Sequence, residues 1–522
     1  MFLQTWNAAL PFEGETDQRK TLFIMKVIRP LIILTVVSAL CGALSLAAQT
    51  TKLSDANIRD KVDEEMLLQM EVPANSIDTE TSEGIVTLTG TVSNLLAKKR
   101  AEKVAMAVRG VKGVVNLIEV SPQPRDDLAL ANDINTALRD QAATESYEVD
   151  VAVKKGNVTL RGTVESRAEK RLSEQVASGV KGVKSIQNDI SIEYELDRND
   201  SEIAQEVRQA IQNDVRLYPK LIMVKVEDGH VLLSGSVGSL NEKRLAESYA
   251  WTTGVESVQT DALHVQDWAD NENLRDRQHA DRSDARIREA VKSAFLYDPR
   301  VYSFNPEVSV QDGIVTLRGI VSNLGAKRAA ESDAQNVIGV DYVRNNLKVR
   351  PSFIPQKDVL KKNIDAALLR DPEIERHELD VEVWDGEVIL KGEVDNYLEK
   401  YRAEGIVQDL KGVVSVINAL EVTNPAGPTF FSVTEFDDFF PVPFVAPQSD
   451  FRQMLTDQQI EKNISEELWW SPFVERNEVT VEVDQGVATL KGEVDSWRER
   501  RAAVENAHEG GAVTVIDKMD VR

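Results

Sequence analysis

One pattern, G-x-[VA]-x-L-x-G-x-V, recurs six times along the chain and constrains its fold more than any other feature. It begins at Gly84, Gly156, Gly229, Gly313, Gly386 and Gly486, and a second glycine follows six residues on in every copy. Successive copies are offset by 72, 73, 84, 73 and 100 residues. Self-similarity at a period this short means one supersecondary unit duplicated along the chain rather than one large core.

The flanks repeat as well. Upstream of each first glycine stands an apolar triplet at i, i+4, i+8, as in Leu130/Ile134/Leu138 and Ile460/Ile464/Leu468. This spacing marks one face of an amphipathic helix. Pro73, Pro219, Pro299, Pro372 and Pro472 follow closely and would stop it. A period-two strand comes next (Val479/Val481/Val483), then a tight hairpin such as Asp228-Gly229, where glycine supplies positive φ cheaply. The returning strand alternates, with Val315 and Leu317 inward and Thr316 and Arg318 outward, which fits a sheet with one packed and one wet face. Asn94, Ser166, Ser239, Asn323, Asn396 and Ser496 then serve as N-caps. Glu169, Glu242, Glu399 and Glu499 stand three positions later and would complete capping boxes. A second helix, a Gly-Val turn and a short third strand close the unit. The expected fold is therefore α+β: a tandem array of six α-β-β-α-β modules, each a three-stranded mixed sheet with two helices on one face. The six glycines at Gly84, Gly156, Gly229, Gly313, Gly386 and Gly486 are read as structural turn residues.

The boundaries read as 54–122, 126–193, 198–266, 282–350, 356–423 and 456–522. Between the third and fourth modules, 267–281 forms a charged linker. Residues 424–455 form a Phe/Pro-rich one, either packed on its neighbours or acting as a docking loop. Residues 1–48 are an N-terminal extension and export signal: Met25-Lys26 and Arg29, an apolar run from Leu31 to Leu40, and a small-residue cleavage pattern at Ser45-Leu46-Ala47. Met25 is the expected start of translation. Leu31–Ala48 is also long enough to act as a retained anchor.

Several function classes are disfavoured. The net charge of −25 works against nucleic acid binding. Five scattered His and the lone Cys41 offer no metal cluster or disulfide framework. No His or Cys recurs at equivalent positions, and the glycines lie in strands and turns, not in a phosphate cradle. We expect no enzyme activity, cofactor, metal or small-molecule substrate.

The second helix carries basic residues four and five positions beyond its N-cap: Lys98/Lys99, Lys170/Arg171, Lys243/Arg244, Lys327/Arg328, Lys400 and Arg500/Arg501. They suit an anionic phospholipid surface. A solvated face in which Glu102, Glu174, Glu247, Glu331 and Glu404 pair with them four residues on is the alternative. Trp469-Trp470 suits a membrane interface or packing beneath the Phe-rich linker.

The α-β-β-α-β order, the DG hairpin, the G-x-V-x-L-x-G-x-V strand and the terminal G-V…V-x-N element (Gly182-Val183 to Asn188, Gly412-Val413 to Asn418) resemble the BON domain. Module three departs with Thr260-Asp261, and module six with Gly511-Ala512 and Asp517, so its third strand is expected to be the weakest. The resemblance implies a periplasmic, envelope-associated module that binds phospholipid surfaces or other envelope components, including envelope proteins, under osmotic or envelope stress. A periplasmic chaperone or protein-binding scaffold is the alternative.

Overall fold

Leu130, Ile134 and Leu138 lie on one face of the helix Asp127–Asp140 and are buried, as their spacing requires. Asp126 caps this helix by accepting from the Ala129 N–H. The rest of module 2 follows the expected order: hairpin strands Glu148–Lys154 and Asn157–Val164, helix Arg167–Ser178, then a third strand in two pieces, Ser185–Asn188 and Ser191–Ile192. The returning strand is central, antiparallel to the first and parallel to the third. Val158, Leu160 and Val164 pack inward with the helices, while Thr159 and Arg161 face outward. This computed structural model describes residues 53–68, 73–144, 148–194, 198–270, 283–301, 304–374, 379–423, 455–471, 474, 479–494 and 497–521. The export segment, most of both linkers, Pro472 and Ser496 lie outside them.

The same topology appears in all six modules. Two consecutive residues take positive φ at every hairpin, for instance Asp228 at 49° and Gly229 at 73°, as a type I′ turn demands. The first residue of the first helix reinforces this turn. Asp127 accepts from the N–H groups of Lys155 and Gly156 at 2.8 and 3.1 Å, and these bonds hold its carboxyl below the usual range. Asp55, Asp200, Asp284 and Asp457 accept the equivalent pair of N–H groups in modules 1, 3, 4 and 6. Module 5 has Lys357 there, and its ammonium lies 4.4 Å from the Trp384 ring.

Three local expectations need correction. Ser166, Ser239 and Asn396 cap their helices, but Glu169, Glu242 and Glu399 do not close conventional boxes. Each accepts from the residue before the cap: Glu165, Gly238 and Asp395. The N-cap residue is fully extended, so the N–H that turns toward the glutamate is the preceding one. Reciprocal boxes occur instead on first helices, at Asn199/Glu202 and Thr456/Gln459. The third strand of module 6 is not weak: Thr514–Val521 pairs along its whole length with Val487–Val494. Asp517 takes over the role of the missing Asn, accepting from the Met519 N–H and the Arg500 Nε. Thr316 faces outward yet is buried, opposite Ser309 on the neighbouring strand.

Modules 2, 4, 5 and 6 each have their own apolar core, whereas the cores of modules 1 and 3 run together into one continuous cluster. The duplicated units are therefore alike in fold and yet not fully independent in packing.

Candidate binding surfaces and module interfaces

The basic pair on the second helix was the leading candidate surface, and the structure divides it into two roles. At the first position the ammonium turns back onto its own module. Lys98, Lys170 and Lys400 donate to the carbonyls of Ile118, Ile190 and Leu420 at 2.7, 2.6 and 2.7 Å. Arg500 meets Asp517 instead, at 2.7 Å. Lys243 and Lys327 are half-buried at the same helical position.

At the second position the side chains largely reach other modules. Lys99 bonds Glu174 and Ser178 of module 2 at 3.0 and 2.8 Å. Arg244 of module 3 bonds Glu102 of module 1 at 2.8 Å. Arg328 of module 4 is half-buried near Asp409 of module 5, and desolvation lowers its pKa despite that carboxylate. Arg171 and Arg501 are exposed.

Among the described residues no close ion pair joins the first basic position to the glutamate four residues on. In modules 1, 2, 4 and 5 the glutamate turns instead to the asparagine of the third strand. Asn188 Nδ2 donates to the Lys170 carbonyl at 2.9 Å and to Glu174 at 3.3 Å, and Asn116, Asn345 and Asn418 repeat both bonds. This asparagine thus locks the second helix to the third strand, which explains why the V-x-N signature recurs.

Trp469 and Trp470 meet edge to face at 4.7 Å. Trp470 packs against the apolar cluster of modules 1 and 3, and the Arg109 guanidinium of module 1 sits 6.0 Å from the Trp469 ring. Arg109 also donates to the Ser471 carbonyl at 2.9 Å. The tryptophans therefore sit in a contact between modules 6 and 1.

Beside them Lys61 of module 1 is buried among carboxylates, at 2.6 Å from Glu467 of module 6 and 2.9 Å from Glu65. Burial alone would lower its pKa, but the carboxylates outweigh burial and raise it. One ammonium cannot satisfy so many acids: burial pushes Glu467 up to about 7 and Glu509 well above its ordinary value. A second ionic knot joins modules 5 and 1. Arg402 grips Asp371 at 2.6 Å and Glu373 at 3.2 Å, and Glu373 also takes both Nη atoms of Arg100 at 2.8 and 3.1 Å.

The BON domain model matches residues 54–122, 126–194, 199–267, 283–351, 356–424 and 456–522. The chain belongs to the BON domain family. Among curated relatives, osmotically-inducible protein Y of Escherichia coli (strain K12) is 30% identical over 145 residues, which is 26% of this chain and 72% of that protein. An uncharacterized protein in the gshII 5′ region of Anaplasma centrale is 32% identical over 140 residues, 26% of this chain and 91% of the relative. Among solved structures, CdsD, a structural protein of the type III secretion system of Chlamydia trachomatis, is 14% identical, with 44% of this chain and 100% of that one covered at a TM-score of 0.12. That likeness carries no argument about this chain.

The BON modules present one more surface, on the side of each sheet away from the helices. Ile85 and Val115 are exposed there in module 1, Met223 in module 3, Tyr342 in module 4, Trp384 and Ile417 in module 5, and Ile516 in module 6. Module 2 shows Thr159, Arg161 and Gln187 instead. The alternating pattern predicts a wet face throughout, and these apolar side chains depart from it. Two further features were missed from sequence. The turn-clamping aspartate had a usable signal, an Asp 29 residues before the first glycine in five of six copies. The module contacts had none, because charged residues at helix ends look the same whether they meet water or another module. Among the described residues no helix is long and apolar enough to cross a membrane.

Proposed function

We propose that this BON protein is an exported, non-catalytic, multivalent binding scaffold of the cell envelope that acts under osmotic or envelope stress. The N-terminal export pattern and the osmotically inducible relative support that setting, in the periplasm. The observation that carries the binding mode is the run of exposed apolar side chains on the outward sheet faces of five modules. Apolar side chains exposed on equivalent sheet faces offer one contact point per module, and several copies on one chain add avidity wherever they can engage one target together. The scaffold reading, in which sheet faces hold envelope proteins, is favoured over attachment to anionic phospholipid. Several of the basic side chains suited to head groups are already engaged within or between modules, and the net charge of −25 repels an anionic surface.

Co-sedimentation with vesicles, one set zwitterionic and one carrying anionic lipid, separates the two. The scaffold reading expects no salt-sensitive pelleting with anionic vesicles, together with suppressed aggregation of unfolded envelope proteins. Substituting Trp384 and Ile417 by serine should weaken that suppression. Pelleting that requires anionic lipid and fades with salt would instead establish the lipid reading. Arg171 and Arg501, exposed on their helices, would then be the first residues to replace.

A further inference from the structure

The backbone hydrogen bonds between modules follow a rule that none of the functional surfaces explains. In module 2 the carbonyl of Asp140, the last residue of the first helix, accepts from the Lys411 N–H of module 5 at 3.1 Å. The equivalent carbonyl of module 5, Arg370, accepts from the Lys181 N–H of module 2 at 2.7 Å. Each module thus gives the other the same bond, as in a two-fold dimer. The Ala142 N–H adds a bond to the Asp409 carbonyl at 3.0 Å, and Gln141 forms an antiparallel bridge with Leu410.

Modules 3 and 4 repeat this contact at equivalent positions. Ile338 N–H donates to the Asn213 carbonyl and Val215 N–H to the Asn336 carbonyl, both at 3.2 Å, and Asp214 bridges Val337. Modules 1 and 6 use the counterpart of the Lys181–Arg370 bond: Arg109 N–H donates to the Trp470 carbonyl at 3.1 Å. The pairs are therefore nested, 1 with 6, 2 with 5 and 3 with 4.

The physical reason is the end of the first helix. Its final carbonyls have no partner within the helix, and the turn after the second helix of another module supplies N–H groups at the right place. These backbone bonds are generic, so side chains must select the partner. They differ in every pair: Lys61 with Glu467 for 1 and 6, Arg370 with Asp140 for 2 and 5, and Tyr249 against Tyr297 at 5.5 Å for 3 and 4.

We propose that the helix-end surface of these BON modules is a pairing surface whose partner is another BON module, and that modules 1–3 and modules 4–6 form two halves that hold each other without needing the chain between them. This is independent of what the sheet faces bind. A protease site placed within 271–282 of the full-length protein allows the folded chain to be cut between the halves. The fragments should co-elute at the position of the uncut protein at low micromolar concentration. Elution as two separate species would overturn the proposal.

Nesting is checked in the uncut chain with engineered cysteines, after Cys41→Ser. Bridge partners lie close enough across an antiparallel pair for a disulfide. Gln141→Cys with Leu410→Cys should cross-link, as should Asp214→Cys with Val337→Cys. The mismatched combination of Gln141→Cys with Val337→Cys should not. Equal cross-linking of matched and mismatched pairs would show that the modules do not select partners and would overturn the nested arrangement.

Discussion

Replacing Gly235 by alanine puts a methyl group where the first hairpin strand already stands. Gly235 has φ of +119°, and a Cβ built on it would lie 2.0 Å from the Leu221 carbonyl oxygen. Two costs add. The backbone conformation is one that side chains rarely adopt, worth about 1–3 kcal/mol. The clash can be relieved only by moving the strand that begins at Ile222, which faces Gly235 in the ladder, and losing a ladder bond costs about 1 kcal/mol more. We expect a loss of about 2–4 kcal/mol.

Two other glycines separate these terms. Gly319 shares the strained φ, at +130°, but the nearest atom to its Cβ is 3.7 Å away, so Gly319→Ala should lose about 1–3 kcal/mol from strain alone. Gly113 has neither problem, its nearest neighbour being 3.9 Å away, and Gly113→Ala should stay within about 0.5 kcal/mol of the parent. Urea unfolding followed by circular dichroism, with amide exchange to assign the loss to one module, gives the order. If Gly235→Ala were no worse than Gly319→Ala, the close approach to Leu221 would be wrong. If Gly319→Ala matched Gly113→Ala, the strain argument would fail as well.

Other expectations follow from the ionic contacts and turns. Arg402→Ala leaves the buried Asp371 without its main partner, while Glu373 keeps Arg100, and should cost about 3–5 kcal/mol in a urea titration; Arg402→Lys should recover only part, because a single ammonium cannot replace the guanidinium fork. Glu467 and Glu509 are carboxyls whose folded-state pKa is raised, so the folded protein takes up protons before the unfolded chain does. Stability should therefore rise as pH falls from about 7 toward the ordinary glutamate range, and fall again as pH rises back through neutrality. Thermal melts across that window should show this, and Glu467→Gln should flatten the dependence; an unchanged profile in that variant would place the titration elsewhere. Asp200→Ala removes the acceptor for the Asp228 and Gly229 N–H groups and should speed amide exchange at those two positions, leaving the equivalent turn of module 2 unaffected. Lys357→Asp is the converse: it offers module 5 the clamp it lacks, and slower exchange at Asp385 and Gly386 is the expected readout.

Sequence by itself determined what depends on neighbours along the chain. Helices appear where Leu130, Ile134 and Leu138 repeat at one face, hairpins where paired positive φ is needed at Asp228-Gly229, and N-caps where Asn94 or Ser166 can turn an oxygen onto an exposed N–H. These are short-range requirements of periodicity and backbone geometry, and six repetitions made them unmistakable. Tertiary structure alone decided what each exposed-looking charge is for. Lys99 and Arg244 fit a solvated helix face equally well, yet they are spent on other modules. The outward sheet residues Trp384 and Ile417 stand exposed on one face of the module 5 sheet, which strand pairing alone reveals. A side chain's local pattern specifies which way it points from its own helix or strand. Whether water or another module meets it there depends on residues far along the chain, 75 positions away for Lys99 and 142 for Arg244, and no periodicity records that distance.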